Sequence, residues 1–128
     1  MFQVDGISYN VLVPFGGLKR SFEIKEGTGS LTYIDGDYDR DVVGTYYNYE
    51  VQIDKKGSDQ EDYDALYEAL SAPEKSHSVT FPYGQSTLTF DAYITGGEDT
   101  FERKIAGKQY WGGLNVTFYA KKPKREPT

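Results

Sequence analysis

A single amphipathic stretch, Ser58 to Ala72, limits what this chain can fold into more than any other, because the residues on either side of it read as strands. Tyr63, Leu66, Tyr67 and Leu70 fall at i, i+3, i+4 and i+7 and predict an apolar stripe about 100° wide, which a lone helix buries by lying on a sheet. Ser58 is the expected N-cap, Glu61 completes a capping box, and Asp59, Glu61 and Asp62 place negative charge at the positive end of the helix dipole. Pro73 stops the helix.

The flanking segments alternate with period two. Leu18, Arg20, Phe22 and Ile24 alternate with Lys19, Ser21, Glu23 and Lys25, predicting a half-buried strand in which Arg20 stands on the apolar parity and needs a carboxylate or a route to the surface. Tyr47, Tyr49, Val51 and Ile53 alternate with Tyr46, Asn48, Glu50 and Gln52, a strand closed by Lys55-Lys56-Gly57. His77, Val79 and Phe81 share one parity and lead through Pro82-Tyr83-Gly84-Gln85 into Thr87 to Thr95, where Leu88, Phe90, Ala92 and Ile94 face one way. Gly96 to Asp99 reads as a turn, Phe101 to Ile105 as a weaker strand, and Leu114 to Ala120 as the last. Near the start, Asp5-Gly6 suits a tight turn between Phe2–Asp5 and Ser8–Val13, predicting a hairpin. Glu26 to Thr45 is too long for a structureless loop in a compact domain, so it is expected to hold a strand near Leu31 to Ile34 and to project as a hairpin or contact loop.

These elements predict an α+β, mostly antiparallel β-sandwich with one flanking helix: a single domain over residues 1–120 and a charged tail over 121–128, flexible when alone. Twelve Tyr and seven Phe against one Trp and one Met fit strands with half-wet faces, since tyrosine buries its ring and keeps its hydroxyl in water. The absence of cysteine excludes disulfides, thiolate metal sites and cysteine nucleophiles. No apolar run approaches the ~20 residues a membrane helix needs. With no basic-then-apolar leader at Met1, a protein made and assembled in the cytosol is expected. A net charge of −6 opposes phosphate-driven nucleic-acid binding over most of the surface.

Residues that carry chemistry are few. His77 is the only histidine, and no Gly-x-Ser-x-Gly elbow is present, so a catalytic triad is unsupported and His77 reads as a half-buried strand residue. Asp35, Asp37, Asp39 and Asp41 alternate as calcium ligands do, but Arg40 stands where an EF-hand has its turn glycine and Tyr46 where it has its bidentate Glu. A solvated acidic turn is the better reading, a weak Ca²⁺ site the alternative. Gly27-Thr28-Gly29-Ser30-Leu31-Thr32 lacks the last glycine of a nucleotide cradle and precedes no helix. Tyr110 and Trp111 with Tyr46 and Tyr47 would make either a sugar-stacking platform or packing at a sheet–helix or subunit contact, and the second fits aromatic-rich strands better. The tail Lys121 to Arg125 is a solvated terminus or an arm for an acidic neighbour.

The helix Tyr63-Asp64-Ala65-Leu66-Tyr67-Glu68-Ala69-Leu70-Ser71-Ala72-Pro73, with Ser76-His77-Ser78-Val79-Thr80-Phe81-Pro82-Tyr83 and Arg40-Asp41-Val42-Val43-Gly44-Thr45-Tyr46, resembles small tail-associated structural proteins of phages and prophages of Gram-positive bacteria. The likeness is one of layout and phrase over roughly residues 2–120. It implies a tail-tube-like fold, a ring typically of six subunits whose inner sheets join into one barrel, a long loop reaching a neighbour, and no active site or cofactor. It also implies partners among other tail proteins, DNA passing through without specific binding, and residence in the virion after assembly in the host cytoplasm. The expected function is thus a tube, distal-tail or head–tail connection component. Arg20, Asp35, Asp37, Asp39, Arg40, Tyr46, Tyr47 and Trp111 are the candidate oligomer contacts. A non-catalytic carbohydrate-binding module using Trp111 is the alternative, with a small hydrolase using Asp or Glu pairs behind it.

Overall fold

The computed structural model describes residues 2–26, 31–32, 38–39, 42–57 and 59–125. In chain order its elements are β1 (Gln3–Val4), β2 (Val11–Leu12), β3 (Leu18–Glu26), β4 (Leu31–Thr32), β5 (Tyr38–Asp39), β6 (Val42–Lys55), α1 (Gln60–Ser71), β7 (His77–Tyr83), β8 (Ser86–Tyr93), β9 (Gly97–Ile105) and β10 (Lys108–Ala120). Strands β1, β7, β8, β10, β6 and β2 follow one another across an eight-stranded sheet, with β3 also paired to β6 and β9 to β10. Every pairing is antiparallel. The short strands β4 and β5 pair only with each other.

The predicted alternation decides which side chains enter the core. Tyr49, Val51 and Ile53 of β6 lie opposite Phe118, Val116 and Leu114 of β10, and all six are buried. His77, Val79 and Phe81 of β7 and Phe90 and Ala92 of β8 are buried on the same parity rule. The sheet curls until β7 faces β6 across this core, although β8 and β10 lie between them in the sheet order. Tyr49 therefore stacks on Phe81 with ring centroids 4.5 Å apart and planes 8° from parallel, and Phe118 meets Phe81 edge-on at 5.1 Å. The Tyr49 hydroxyl donates to the Pro82 carbonyl at 2.9 Å, so burying this tyrosine leaves no orphaned oxygen.

The helix is where it was expected, with two corrections. Its cap is Asp59, whose side chain accepts the Asp62 N–H, in place of a Ser58–Glu61 box, and Ser58 itself lies outside the described residues. The buried stripe is Gln60, Tyr63, Leu66 and Leu70, and Tyr67 is exposed. Gln60 turns inward because it is bonded on both ends: its carbonyl accepts the Trp111 N–H at 3.1 Å and its amide donates to Asp64 at 2.9 Å. That rotation carries Tyr67 out.

Other strand boundaries move for local reasons. Asp5 and Gly6 do make a tight turn, both at positive φ, and Val4 and Ile7 exchange backbone bonds across it. The flanking strands do not pair with each other, however: β1 joins β7 and β2 joins β6. Gly97 to Asp99 belong to β9 and not to a turn, and β10 starts at Lys108 because Ala106 and Gly107, at φ 51° and 81°, turn the chain in two residues. Leu31–Thr32 pairs with Tyr38–Asp39, a hairpin inside the long connection; Gly27 to Ser30 lie outside the described residues. The tail up to Arg125 is bonded back onto β6, with Lys124 N–H to Thr45 O at 2.9 Å and Thr45 N–H to Arg125 O at 2.8 Å. Gly44 permits this approach, since a Cβ there would stand 2.6 Å from the Arg125 carbonyl and from Pro123.

Leu66 is fully buried and Tyr67 is not. Leu66→Ala is expected to destabilise the fold by about 3 kcal/mol and Tyr67→Ala by less than about 1 kcal/mol, read from urea unfolding midpoints at constant slope.

Candidate assembly edges

Four strands, β3, β6, β10 and β9, make the side of the sheet with two free margins. One row crosses all four, Leu18 to Val51 to Val116 to Gly97. From that row β3 runs to Glu26 paired only with β6, and β9 runs the opposite way to Ile105 paired only with β10. Both edges are nine residues long, and their outer backbone groups face no strand among the described residues.

The β3–β6 arm overhangs the core. The alternation in β3 is real, and Arg20, Phe22 and Ile24 share the parity of Leu18, but the expected half-buried strand is exposed: Phe22 is 69% accessible and Ile24 40%. No second layer reaches that far, so periodicity picks the side without supplying a cover. Arg20, Ser21, Phe22, Ile24, Thr45, Tyr47, Tyr83 and Arg125 line an open groove there of about 460 Å³ with no carboxylate. Arg20 escapes its apolar parity by lying over the Tyr83 ring, 5.4 Å from its centre. The Tyr83 hydroxyl donates to that of Tyr47 at 3.2 Å. This bond holds the Tyr47 phenol below its usual range, helped by the Arg125 and Arg20 charges, and the same bond raises Tyr83. Tyr46 faces the other way, under the Lys25 ammonium at 4.3 Å.

The β9–β10 arm overhangs the opposite end. Phe101 meets Trp111 edge-on at 5.1 Å, and Trp111 packs on the core beneath the helix start. Tyr110 is ringed by Lys55, Arg103 and Lys108 at 5.6–5.9 Å. Burial pulls Lys55 down, but its bonds to Glu102 and Asp54 outweigh burial and hold the ammonium above its usual range.

The face of the four-stranded sheet that looks away from the core is polar: Lys19 opposite Glu50, Ser21 opposite Asn48, Gln52 opposite Asn115, and Asn115 opposite Glu98. Of the candidate contacts, Arg20 and Tyr47 come together in the groove. Tyr46 sits on the reverse of the same arm. Trp111 lies at the far end, roughly 30 Å along the strands, so the four aromatic residues do not meet in one platform. Asp35, Asp37, Arg40 and Asp41 lie outside the described residues, and only the backbone of Asp39 is described, in β5. Phe22, Tyr83 and Arg125 line the groove beside Arg20 and Tyr47, and Phe101 packs on Trp111, positions the sequence did not single out. Only Arg20, a cation among apolar positions, signalled the groove. His77 is buried in β7, its Nδ1 2.8 Å from an Asp5 carboxylate oxygen, which ties the first turn to the sheet. No protein-family model matches the chain, and no curated protein matches it.

The helix is anchored to the β9 margin by the Tyr63 hydroxyl, which donates to Asp99 at 3.0 Å. Burial first, and the Asp99 carboxylate second, push the Tyr63 phenol far above its usual range near 10. A folded-state value above the unfolded one means that the contribution is complete below pH ~10 and is lost as pH rises beyond it. Tyr63→Phe is expected to destabilise by about 1 kcal/mol at neutral pH and to make the fall in stability above pH ~10 shallower, measured by urea unfolding at several pH values.

Proposed function

We propose that this chain is a structural protein of a phage tail, in the tube, at its distal end or at the head–tail connection, and that it assembles into rings, six subunits being the number the family resemblance implies. The observation that carries this reading is the pair of free edges. Because two strands, β6 and β10, lie between them in an antiparallel sheet, β3 and β9 run in opposite directions, so β9 of a second copy laid along β3 continues the antiparallel alternation. Phe22 and Ile24 on one margin and Phe101 and Ile105 on the other, each at least 40% exposed, are covered by such pairing.

The stagger of the two edges sets the geometry of the ring. Since β3 and β9 leave the Leu18–Gly97 row in opposite directions, a displacement of each copy by about six to eight residues along the strands brings most of their lengths together. Over four strands per copy, a rise of ~3.3 Å per residue and a spacing of ~4.8 Å, that shear inclines the strands by roughly 45–55° to the ring axis. A closed barrel needs a tilt of this order. The polar face then lines the lumen and the core with α1 lies outside, so DNA meets Ser21, Asn48, Gln52, Asn115 and the carboxylates of Glu50 and Glu98, which do not hold phosphate.

The test is assembly state. Wild-type protein is expected to give a ring-sized particle in light scattering and annular images in electron microscopy. Phe22→Lys is expected to stay monomeric with a stability change within about 0.5 kcal/mol, since Phe22 covers nothing in the single chain. A wild type that remains a monomer at high concentration, or stops at a dimer joined edge to identical edge, overturns the ring.

A further inference from the structure

Both margins of β6 bring an arginine to the same place in the overhanging β3–β6 arm. On one side Ile24 of β3 pairs with Thr45, and on the other Arg125 forms a bridge with that same Thr45, so Arg125 stands on the face that carries Ile24, Phe22 and Arg20. Tyr47 lies between the two arginines. The Arg20 guanidinium rests over the Tyr83 ring, 5.4 Å from its centre, the Tyr83 hydroxyl donates to that of Tyr47, and Arg125 bonds to the Tyr47 hydroxyl as well. After the Tyr83 bond, it is these two positive charges that hold the Tyr47 phenol below its usual range. Like charges brought together cost energy unless an anion shares them. Among the described residues none does: neither arginine has an ion pair, and no carboxylate lines the groove. The nearby acids are turned away, because Glu23 alternates with Phe22 and Ile24, and Glu50 pairs with Lys19, which places both carboxylates on the polar face. In a chain of twenty acids and fourteen bases, two guanidiniums with no acid beside them run against the composition. The rest of the lining is apolar, with Phe22 69% and Ile24 40% accessible.

We infer that this groove is a binding site for an oxyanion carried on a flat apolar body, a carboxylate or phosphate attached to an aromatic ring. The oxyanion sits between the Arg20 and Arg125 guanidiniums, which offer it paired N–H donors in a fixed fork, and the ring lies on Phe22 and Ile24. The Tyr47 oxygen accepts from Tyr83 and Arg125, which leaves its own proton free to be donated to the anion. At about 460 Å³ the groove falls in the size range of small-ligand sites. Arg20 is already held on the Tyr83 ring and the backbone of Arg125 on Thr45, so binding has little order left to create. The site is complete on one copy and does not rest on the ring reading.

The experiment titrates full-length protein with benzoate, phenyl phosphate, inorganic phosphate and benzyl alcohol, followed by amide NMR shifts at neutral pH and about 50 mM salt. It is run on the wild type and on Ile105→Lys, whose changed β9 margin is remote from the groove, so that a groove closed by a neighbouring copy is not mistaken for a missing site. Benzoate or phenyl phosphate is expected to saturate, with shifts at Phe22, Ile24, Thr45 and Tyr47, at least about fivefold more tightly than inorganic phosphate, while benzyl alcohol does not bind. Arg20→Gln and Arg125→Gln should each weaken the ring-bearing anions by about tenfold. Phe22→Ser should abolish the preference for a ring and leave inorganic phosphate unchanged, and Lys108→Gln, the same charge change at the far end, should alter nothing. Failure of both ring-bearing anions to saturate either protein overturns the site. So does equal affinity for phenyl phosphate and inorganic phosphate, or a Lys108→Gln loss as large as that of Arg20→Gln. A wild type that binds benzoate and never forms a particle larger than a monomer sinks the ring and keeps this site.

Discussion

The stack of Tyr49 on Phe81 is the contact on which the rest of the architecture depends. It joins two strands that are not neighbours in the sheet and so fixes how tightly the sheet curls. Phe118 and Phe90 close around the same ring, and Phe2 stacks on its other side at 5.5 Å. These rings leave a core only as long as the stretch in which β6, β10, β7 and β8 overlap. Strands that extend past it keep their ladder bonds to one partner and lose their cover.

That mismatch between strand length and core length produces both arms. β6 is fourteen residues and β10 thirteen, against seven for β7 and eight for β8. The excess of β6 carries β3 upward, and the excess of β10 carries β9 the other way. Long, exposed, partly apolar edges invite pairing, and soluble proteins that do not use them blunt them with proline, bulges or charge. Here both edges carry such devices, with register shifts in the β3–β6 and β9–β10 pairings and charged residues along both strands, and a turn adds a local one. Between β2 and β3 the chain leaves β6 through Pro14-Phe15-Gly16-Gly17, a tight turn closed by the Gly17 N–H on the Pro14 carbonyl, which interrupts this margin just before Leu18. Phe15 projects from it fully exposed.

Period-two patterning made the core faces of β6, β7, β8 and β10 readable, because in each of these strands the apolar parity is continuous and a second layer exists to receive it. In β3 the same pattern misled, since alternation reports which side chains share a face and carries no information about whether anything lies opposite. Arg20 was the visible exception, an ion that would not be buried, and the structure places it against Tyr83 in open solvent contact. The helix stripe was legible to within one position. Gln60 and Tyr67 exchanged places because the Trp111 N–H needed an acceptor, a demand set by tertiary contact and invisible in the helix's own sequence. The cap shifted by one for a related reason: Ser58 and Asp59 are equally able to cap, and Asn10 holds Asp59 by donating to its carboxylate at 2.8 Å, which also keeps that carboxyl below its usual range.

The polar face gains its meaning from the same constraint. A four-stranded sheet with one face on a core and the other bare is ordinary, but its bare face usually mixes in apolar side chains where solvent tolerates them. On this one the paired positions include Lys19–Glu50, Ser21–Asn48, Gln52–Asn115, Thr117–Glu50 and Asn115–Glu98, all polar, with Tyr46 opposite Glu23 adding an aromatic ring. Exposed apolar side chains stand at the margins, at Phe22, Ile24, Phe101 and Ile105, and also elsewhere, at Ile7, Leu12, Phe15, Val43, Tyr67 and Tyr93. The edges therefore combine unpaired backbone groups with apolar side chains, and the face between them is mostly polar.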